Sequence, residues 1–115
     1  MAEKTIFEKI LDKEIPSASV YEDDSVYAFR DIDPQAPVHV LVIPKKKLSG
    51  FAELKNADPA AVGMFMQRVA LIAERLGLEK DGYRVVFNHG RNGHQTVDYI
   101  HAHILGGRQL GWPPG

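Results

Sequence analysis

Tyr99-Ile100-His101-Ala102-His103 is the stretch of this 115-residue chain whose residue types and spacing point most directly to chemistry. In an extended strand alternate side chains share a face. Tyr99, His101 and His103 then point one way, and Ile100, Ala102 and Ile104 the other. The apolar set suits a core. The other set presents two imidazoles about 7 Å apart along the strand. Spacing alone leaves three roles open. The rings can sit idle on a solvated face. They can ligate a metal, although a closed zinc site needs more ligands, and with no cysteine in the chain His39, His89 or His94 would have to join. Or one ring is a nucleophile or general base and the other a phosphate-binding donor. Histidine suits that division because its neutral ring exists near pH 7 and its protonated ring binds oxyanions.

The flanks favour the third role. Gly93-His94-Gln95-Thr96 runs directly into the segment, and a glycine-bearing turn can aim backbone N–H groups into a concavity that suits an anion. Thr96 adds a hydroxyl, and Asn88, closing the preceding strand candidate, adds an amide. An anion site facing two histidines reads as phosphoryl chemistry.

The length suits one domain, residues 1–115, with a core that needs no disulfide or metal. A net charge of -1 gives no basic field for nucleic acid or an anionic membrane. Lys45-Lys46-Lys47 is too short a basic run to change that and reads as a solvated turn. The beginning, Met-Ala-Glu-Lys-Thr-Ile-Phe-Glu, has no signal-peptide shape, and no stretch approaches the roughly 18 apolar residues of a membrane span. With no cysteine, a cytoplasmic protein is the expectation.

Thr5-Ile6-Phe7-Glu8 reads as a capping box opening a short helix that buries Ile6, Phe7, Ile10 and Leu11 and ends at Ile15-Pro16-Ser17. Ser19–Glu22 and Val26–Phe29 form a hairpin about Asp23-Asp24-Ser25. Asp31 to Pro37 is too rich in turn formers for regular structure. His39–Ile43, an uninterrupted apolar run after its histidine, reads as a central strand covered on both faces. Asp58-Pro59 starts the long helix, with Asp58 at the N-cap. Val62, Phe65, Met66, Val69, Ala73 and Leu76 form its stripe, both methionines pack in the core, and Gly77 marks the end. Tyr83–Asn88 and Val97–Leu105 are the last strands, broken by Gly106-Gly107. Strands with two helices and short connections imply an α+β fold with an antiparallel sheet.

His101-Ala102-His103-Ile104-Leu105 resembles the end of the histidine triad signature. Thr5-Ile6-Phe7, Glu14-Ile15-Pro16, Asp31 to Pro37, His39 to Lys45, Gly106-Gly107-Arg108-Gln109 and Trp112-Pro113-Pro114-Gly115 are similar, in order, to the Hint-like branch of that superfamily. The resemblance covers essentially the whole chain. It implies a HIT-like α+β fold: a five-stranded antiparallel sheet with one long and one short helix, extended by homodimerisation. It also implies hydrolysis of the P–N bond of purine nucleoside 5′-phosphoramidates through a nucleotidyl-histidine. That chemistry takes a purine nucleotide of the AMP or GMP type and needs no metal or organic cofactor.

Matched position by position, the resemblance makes His101 the nucleophile and His103 the phosphate-binding histidine, with Thr96 beside them. The second ring N–H of His101 is expected on the Tyr99 carbonyl. Asn88, Gln95, Val97 and His94 match the phosphate and leaving-group side. Asp31 matches the ribose-gripping acid, and Ile6, Phe7, Ile15, Phe29 and Ile32 the base slot. His39 matches a buried supporting histidine, and Trp112 a tryptophan reaching toward the partner subunit. The chain departs from the pattern where Tyr99 replaces the first triad histidine and His94 replaces a small residue. Tyr99 can supply the lost hydrogen bonding with a phenol, His94 can take over from the loop, or the pocket can have turned from turnover to nucleotide binding. Dinucleoside polyphosphate hydrolysis is a further alternative, against which the Trp-Pro-Pro-Gly ending speaks.

Overall fold

A computed structural model describes residues 3–115. Met1 and Ala2, part of the opening stretch considered above, lie outside the described residues. Helix α1 (Ile6–Leu11) precedes strands β1 (Ser19–Glu22), β2 (Val26–Arg30) and β3 (Val38–Pro44). A 3-10 helix (Phe51–Asn56), helix α2 (Pro59–Arg75) and strands β4 (Tyr83–Val86) and β5 (Ala102–Gly106) follow. The strands form one antiparallel sheet in the order β1-β2-β3-β5-β4. This is the α+β, five-stranded fold that the sequence implies, with the 3-10 helix added. No described helix is long and apolar enough to cross a membrane.

The sheet buries two different faces. Val26, Ala28, Val40, Val42, Ala102 and Ile104 meet Phe65, Val69, Ile72 and Ala73 of α2. On the opposite face Tyr27, Phe29, Leu41, Ile43 and Tyr99 cluster with Phe7 of α1. Period-two alternation along β2 and β3 feeds both clusters, so β3 is covered on both sides as its uninterrupted apolar run requires. His39, Leu41 and Ile43 share the α1 face, and His103 pairs with Leu41 across the β3–β5 ladder. That register puts the histidines on the face opposite α2.

Several expectations are corrected. Met64 and Met66 are 42% and 44% exposed. They flank Phe65 by about 100° on either side, and a helix lying on one sheet buries only one stripe. The same geometry leaves Ile6 exposed beside the buried Phe7. Helix α1 stops at Leu11, before Ile15-Pro16. Lys13 takes a left-handed φ of 62°, while the N–H groups of Lys13 and Glu14 close on the carbonyls of Ile10 and Lys9. This is a Schellman ending without glycine. Gly77 closes α2 with the same pattern at φ 78°. Asp58 holds the N-cap position of α2, but its side chain makes no capping hydrogen bond. Strand β4 ends at Val86 rather than Asn88.

Candidate active site around His101 and His103

The largest departure from the expected elements lies at the site itself. Val97 to Leu105 does not form one strand, because regular pairing begins only at Ala102. The Gln95 amide donates to the carbonyls of Ser49 (2.8 Å) and Val97 (3.0 Å), and its oxygen accepts the Gly90 N–H. Tyr99 N–H also turns back onto the Val97 carbonyl (2.8 Å), and Ile100 N–H reaches Leu48 O (2.7 Å). These bonds divert backbone groups that a ladder would use. The Tyr99 carbonyl is then available to accept from Nδ1 of His101 at 2.7 Å, the acceptor that the resemblance implies.

Two backbone groups and one ring-to-ring bond fix the ring protons. A carbonyl only accepts, so Nδ1 of His101 carries the proton and Nε2 keeps a free lone pair. The Gln35 N–H only donates, so Nδ1 of His39 accepts it (3.0 Å) and the His39 proton sits on Nε2. That Nε2–H donates to Nδ1 of His103 (2.9 Å). Neutral His103 therefore carries its proton on Nε2, which is buried and has no hydrogen-bond partner among the described residues. The His101 and His103 rings lie 4.9 Å apart, tilted by 55°. A bare ring nitrogen thus stands near an unsatisfied N–H donor, and a buried unsatisfied donor costs about 1–3 kcal/mol until an acceptor arrives.

All three rings favour the neutral state. Burial is the main cause of the lowered pKa of His39 and of His101, opposed by nearby Asp31. His103 falls to about 4, through burial and then the neighbouring His101 and His39. A neutral His101 is the nucleophilic form.

Helix α1 closes one end of the site. Its capping box is formed, with the Thr5 side chain accepting from Glu8 N–H and the Glu8 carboxylate accepting from Thr5 N–H. Glu8 also pairs with Lys47 (3.1 Å), tying the helix to the loop after β3. The helix thereby sets Phe7 edge-on against His101, with ring centroids 4.9 Å apart. Phe29 lies behind, edge-on to Phe7 and stacked on Tyr27.

The remaining expected residues divide. Asp31 is half-buried with Oδ2 3.4 Å from Nε2 of His39, and its Oδ1 accepts the Asp33 N–H (2.8 Å). Ile32 is 97% exposed, so it is essentially unpacked among the described residues. Phe29 is buried and backs the slot rather than lining it. Ile15 lines a separate cavity of about 260 Å³ with Ile10, Leu11 and Tyr27, and no histidine borders it. The Gln95 amide is saturated by the loop it staples, which leaves it no group for a phosphate. Asn88 is half-buried, Thr96 exposed and Val97 packed beside the α1-side cluster. His94 is exposed with a left-handed φ of 62°. Trp112 is 82% exposed, with the Arg84 guanidinium 5.9 Å from its ring centre. The Gln35 N–H that sets the His39 tautomer was not legible, because a backbone donor leaves no mark in residue type. The glycine at 93 carried a partial signal: a Cβ there would meet the His89 carbonyl oxygen at 2.6 Å.

The chain matches the HIT domain family over residues 12–110. It is 54% identical over 113 residues to the 14 kDa zinc-binding protein of Zea mays, covering 96% of this chain and 88% of that protein. It is 49% identical over 113 residues to Adenylylsulfatase HINT1 of Arabidopsis thaliana, covering 96% and 76%. The crystal structure of a HIT family hydrolase from Legionella pneumophila superposes with a TM-score of 0.92 at 45% identity, covering 97% of this chain and all of that one. The chain belongs to the HIT domain family.

The maize relative's name raises zinc, and Asp31, His39 and His103 bring potential ligand atoms within 4.8 Å of one another. Their protons do not fit a zinc site. A ligating histidine normally donates its second ring N–H to an acceptor. Here the second nitrogen of His39 faces a donor, Gln35 N–H, and its Nε2–H is already given to His103. Zinc at this trio would have to break both bonds.

Proposed function

We propose that the chain hydrolyses the P–N bond of purine nucleoside 5′-phosphoramidates, with His101 as nucleophile. The observation that carries this reading is the His101–His103 pair, an attacking lone pair beside a buried donor in want of an acceptor. Nε2 of His101 attacks the α-phosphorus, and the P–N bond breaks as the amine leaves with a proton. Water then attacks the nucleotidyl-histidine, releases the nucleoside monophosphate and returns the lone pair to Nε2. The Nε2–H of His103 donates to a phosphate oxygen as charge builds there. Asp31 accepts from the ribose hydroxyls, and the edge of the Phe7 slot takes the base. Thr96 and Asn88 would contact the phosphate and leaving group.

A neighbouring reading keeps the nucleotidyl transfer and changes the leaving group. The Arabidopsis relative is named an adenylylsulfatase, and the same lone pair would displace sulfate from adenylyl sulfate. A homodimer extending the sheet is part of the proposal. Strand β4 is a sheet edge carrying exposed Tyr83 and Val85, and exposed Trp112 would then reach the partner's site. Sedimentation showing only monomer at micromolar concentration would remove both.

The test is hydrolysis of adenosine 5′-phosphoramidate by the purified protein and by His101→Ala. Turnover in the parent, reduced on the order of 10⁴-fold or more in the variant, is the expected result. Equal rates would exclude His101 as nucleophile, and hydrolysis of adenylyl sulfate in place of the phosphoramidate would select the second leaving group.

A further inference from the structure

We propose that the phenol of Tyr99 is a positioning group: tethered to the end of β3, it holds the Tyr99 carbonyl on Nδ1 of His101 and so keeps that ring's tautomer. The inference rests on His101 being the nucleophile, and it assigns a role to the residue that stands where the triad pattern has a histidine.

Tyr99 is fully buried, and its hydroxyl donates to the Pro44 carbonyl at the end of β3. Its N–H donates to Val97 O, and the next N–H, of Ile100, donates to Leu48 O. The peptide that carries the Tyr99 carbonyl is therefore held on both sides and through the side chain. None of these bonds belongs to a strand ladder, so the side-chain tether stands in for the pairing that would otherwise hold this stretch. The Tyr99 oxygen itself takes the Nδ1–H of His101. The two tautomers of a neutral imidazole lie close in energy, so a carbonyl held at 2.7 Å selects the one with Nε2 bare. The Tyr99 ring adds a second constraint: it lies edge-on to Phe7 at 5.9 Å, and Phe7 lies edge-on to His101 at 4.9 Å. Position 99 thus reaches His101 along the backbone and through one intervening ring. A phenol carries its donor further from the backbone than an imidazole does, which suits a partner at the end of the neighbouring strand β3.

The experiment reads the ring nitrogens of His101 by ¹⁵N NMR in the parent, in Tyr99→Phe, and in a protein with 4-aminophenylalanine at position 99, which keeps a donor at the same place on the ring. The parent is expected to show His101 as the single Nδ1–H tautomer. Tyr99→Phe is expected to show a mixture, with kcat down about 10-fold and KM within about 2-fold. The amino variant is expected to restore the single tautomer. A parent without the Nδ1–H tautomer overturns the inference, as does a folded Tyr99→Phe that keeps it unmixed. If Tyr99→Phe does not fold, a mixture in the amino variant overturns it. The tautomer is read without substrate. A parent inert toward phosphoramidates, with the tautomer response intact, ends the proposed reaction and leaves the positioning role standing. Normal turnover with an indifferent tautomer ends the positioning role alone.

Discussion

The two faces of the sheet are built from the same alternating strands and end in opposite states. Under α2 the clustered inward side chains are all apolar, so that core is packed closed and offers no chemistry. On the α1 side the same alternation brings in His39 and His103, and α1 is only two turns long, so it covers Phe29 and Tyr99 and stops at His101. What is left beside it is half-buried imidazole with one donor unsatisfied. Closing a face with a long helix yields stability, and closing it with a short one leaves desolvated polar groups at the rim, where burial holds the rings neutral and the tautomers are set by backbone.

Neighbouring residues of β5 test that contrast directly. His103→Ala removes the unsatisfied donor and is expected to lower kcat for phosphoramidate hydrolysis by about 10²–10³-fold, the range for losing one donor to a developing oxyanion. Its stability should fall by less than about 1.5 kcal/mol, since water can reach the vacated site and accept the His39 N–H. Ile104→Ala, one residue on and fully buried against α2, is expected to do the reverse. Denaturant unfolding should lose about 2–5 kcal/mol, and the kcat of the remaining folded protein should change little. A large rate effect from Ile104→Ala, or a large stability loss from His103→Ala, would break the division of labour between the faces.

The faces also differ in their response to acid. The histidines of the α1 side are held neutral in the fold, with His103 at about 4. Below about 6.5 the unfolded chain binds protons that the folded chain refuses, so stability is complete above that pH and declines as pH falls toward 4. The expected loss across this window is roughly 1–3 kcal/mol, and His103→Ala should flatten it. Asp23, at the β1–β2 turn facing α2, behaves as a separate group. It accepts from Ser25 and Val26 N–H, the Tyr21 hydroxyl and Arg68 of α2, and its carboxyl is held well below the usual range. Its contribution is present above about 3.8 and is lost only as pH falls further. Chemical denaturation at a series of pH values should therefore show two windows, with the Asp23→Asn variant altering only the lower one.

Most of the fold was legible because periodicity is written in residue type. Alternation in β2 and β3, the apolar stripe of α2 and the capping box of α1 all rest on side chains. The two helix endings show where legibility stops. Both close in the same hydrogen-bond pattern, but one uses Gly77 and was read, and the other uses Lys13 and was not. At the site the histidines and the Tyr99 carbonyl were foreseen. The segment 97–101 was read as strand because its alternation is intact, yet its backbone is committed by the Gln95 amide just before it and by Leu48, far away in the sequence. Gln95, which the resemblance put on the phosphate and leaving-group side, has its amide spent on holding the loop. The exposed Ile32 and the displaced Ile15 belong to the same class, apolar residues whose neighbours are fixed by tertiary geometry rather than by spacing.

The smallest effect concerns the loop that feeds the α1-side face. His94 occupies a left-handed backbone conformation while standing exposed, and such a φ disfavours a side chain by about 1–2 kcal/mol relative to glycine. Glycine loses more freedom on folding, so His94→Gly is expected to raise stability by only about 0.5–1 kcal/mol. If the imidazole serves the leaving-group side, the same change should lower kcat/KM for bulky amine conjugates more than for the unsubstituted phosphoramidate. Competition between the two substrates measures that ratio. A stabilised variant with an unchanged ratio would make His94 a tolerated strain in the loop and remove it from the site. A changed ratio would show that strain retained on the rim sets which amines the open face accepts, whereas no residue under α2 should alter that ratio when replaced.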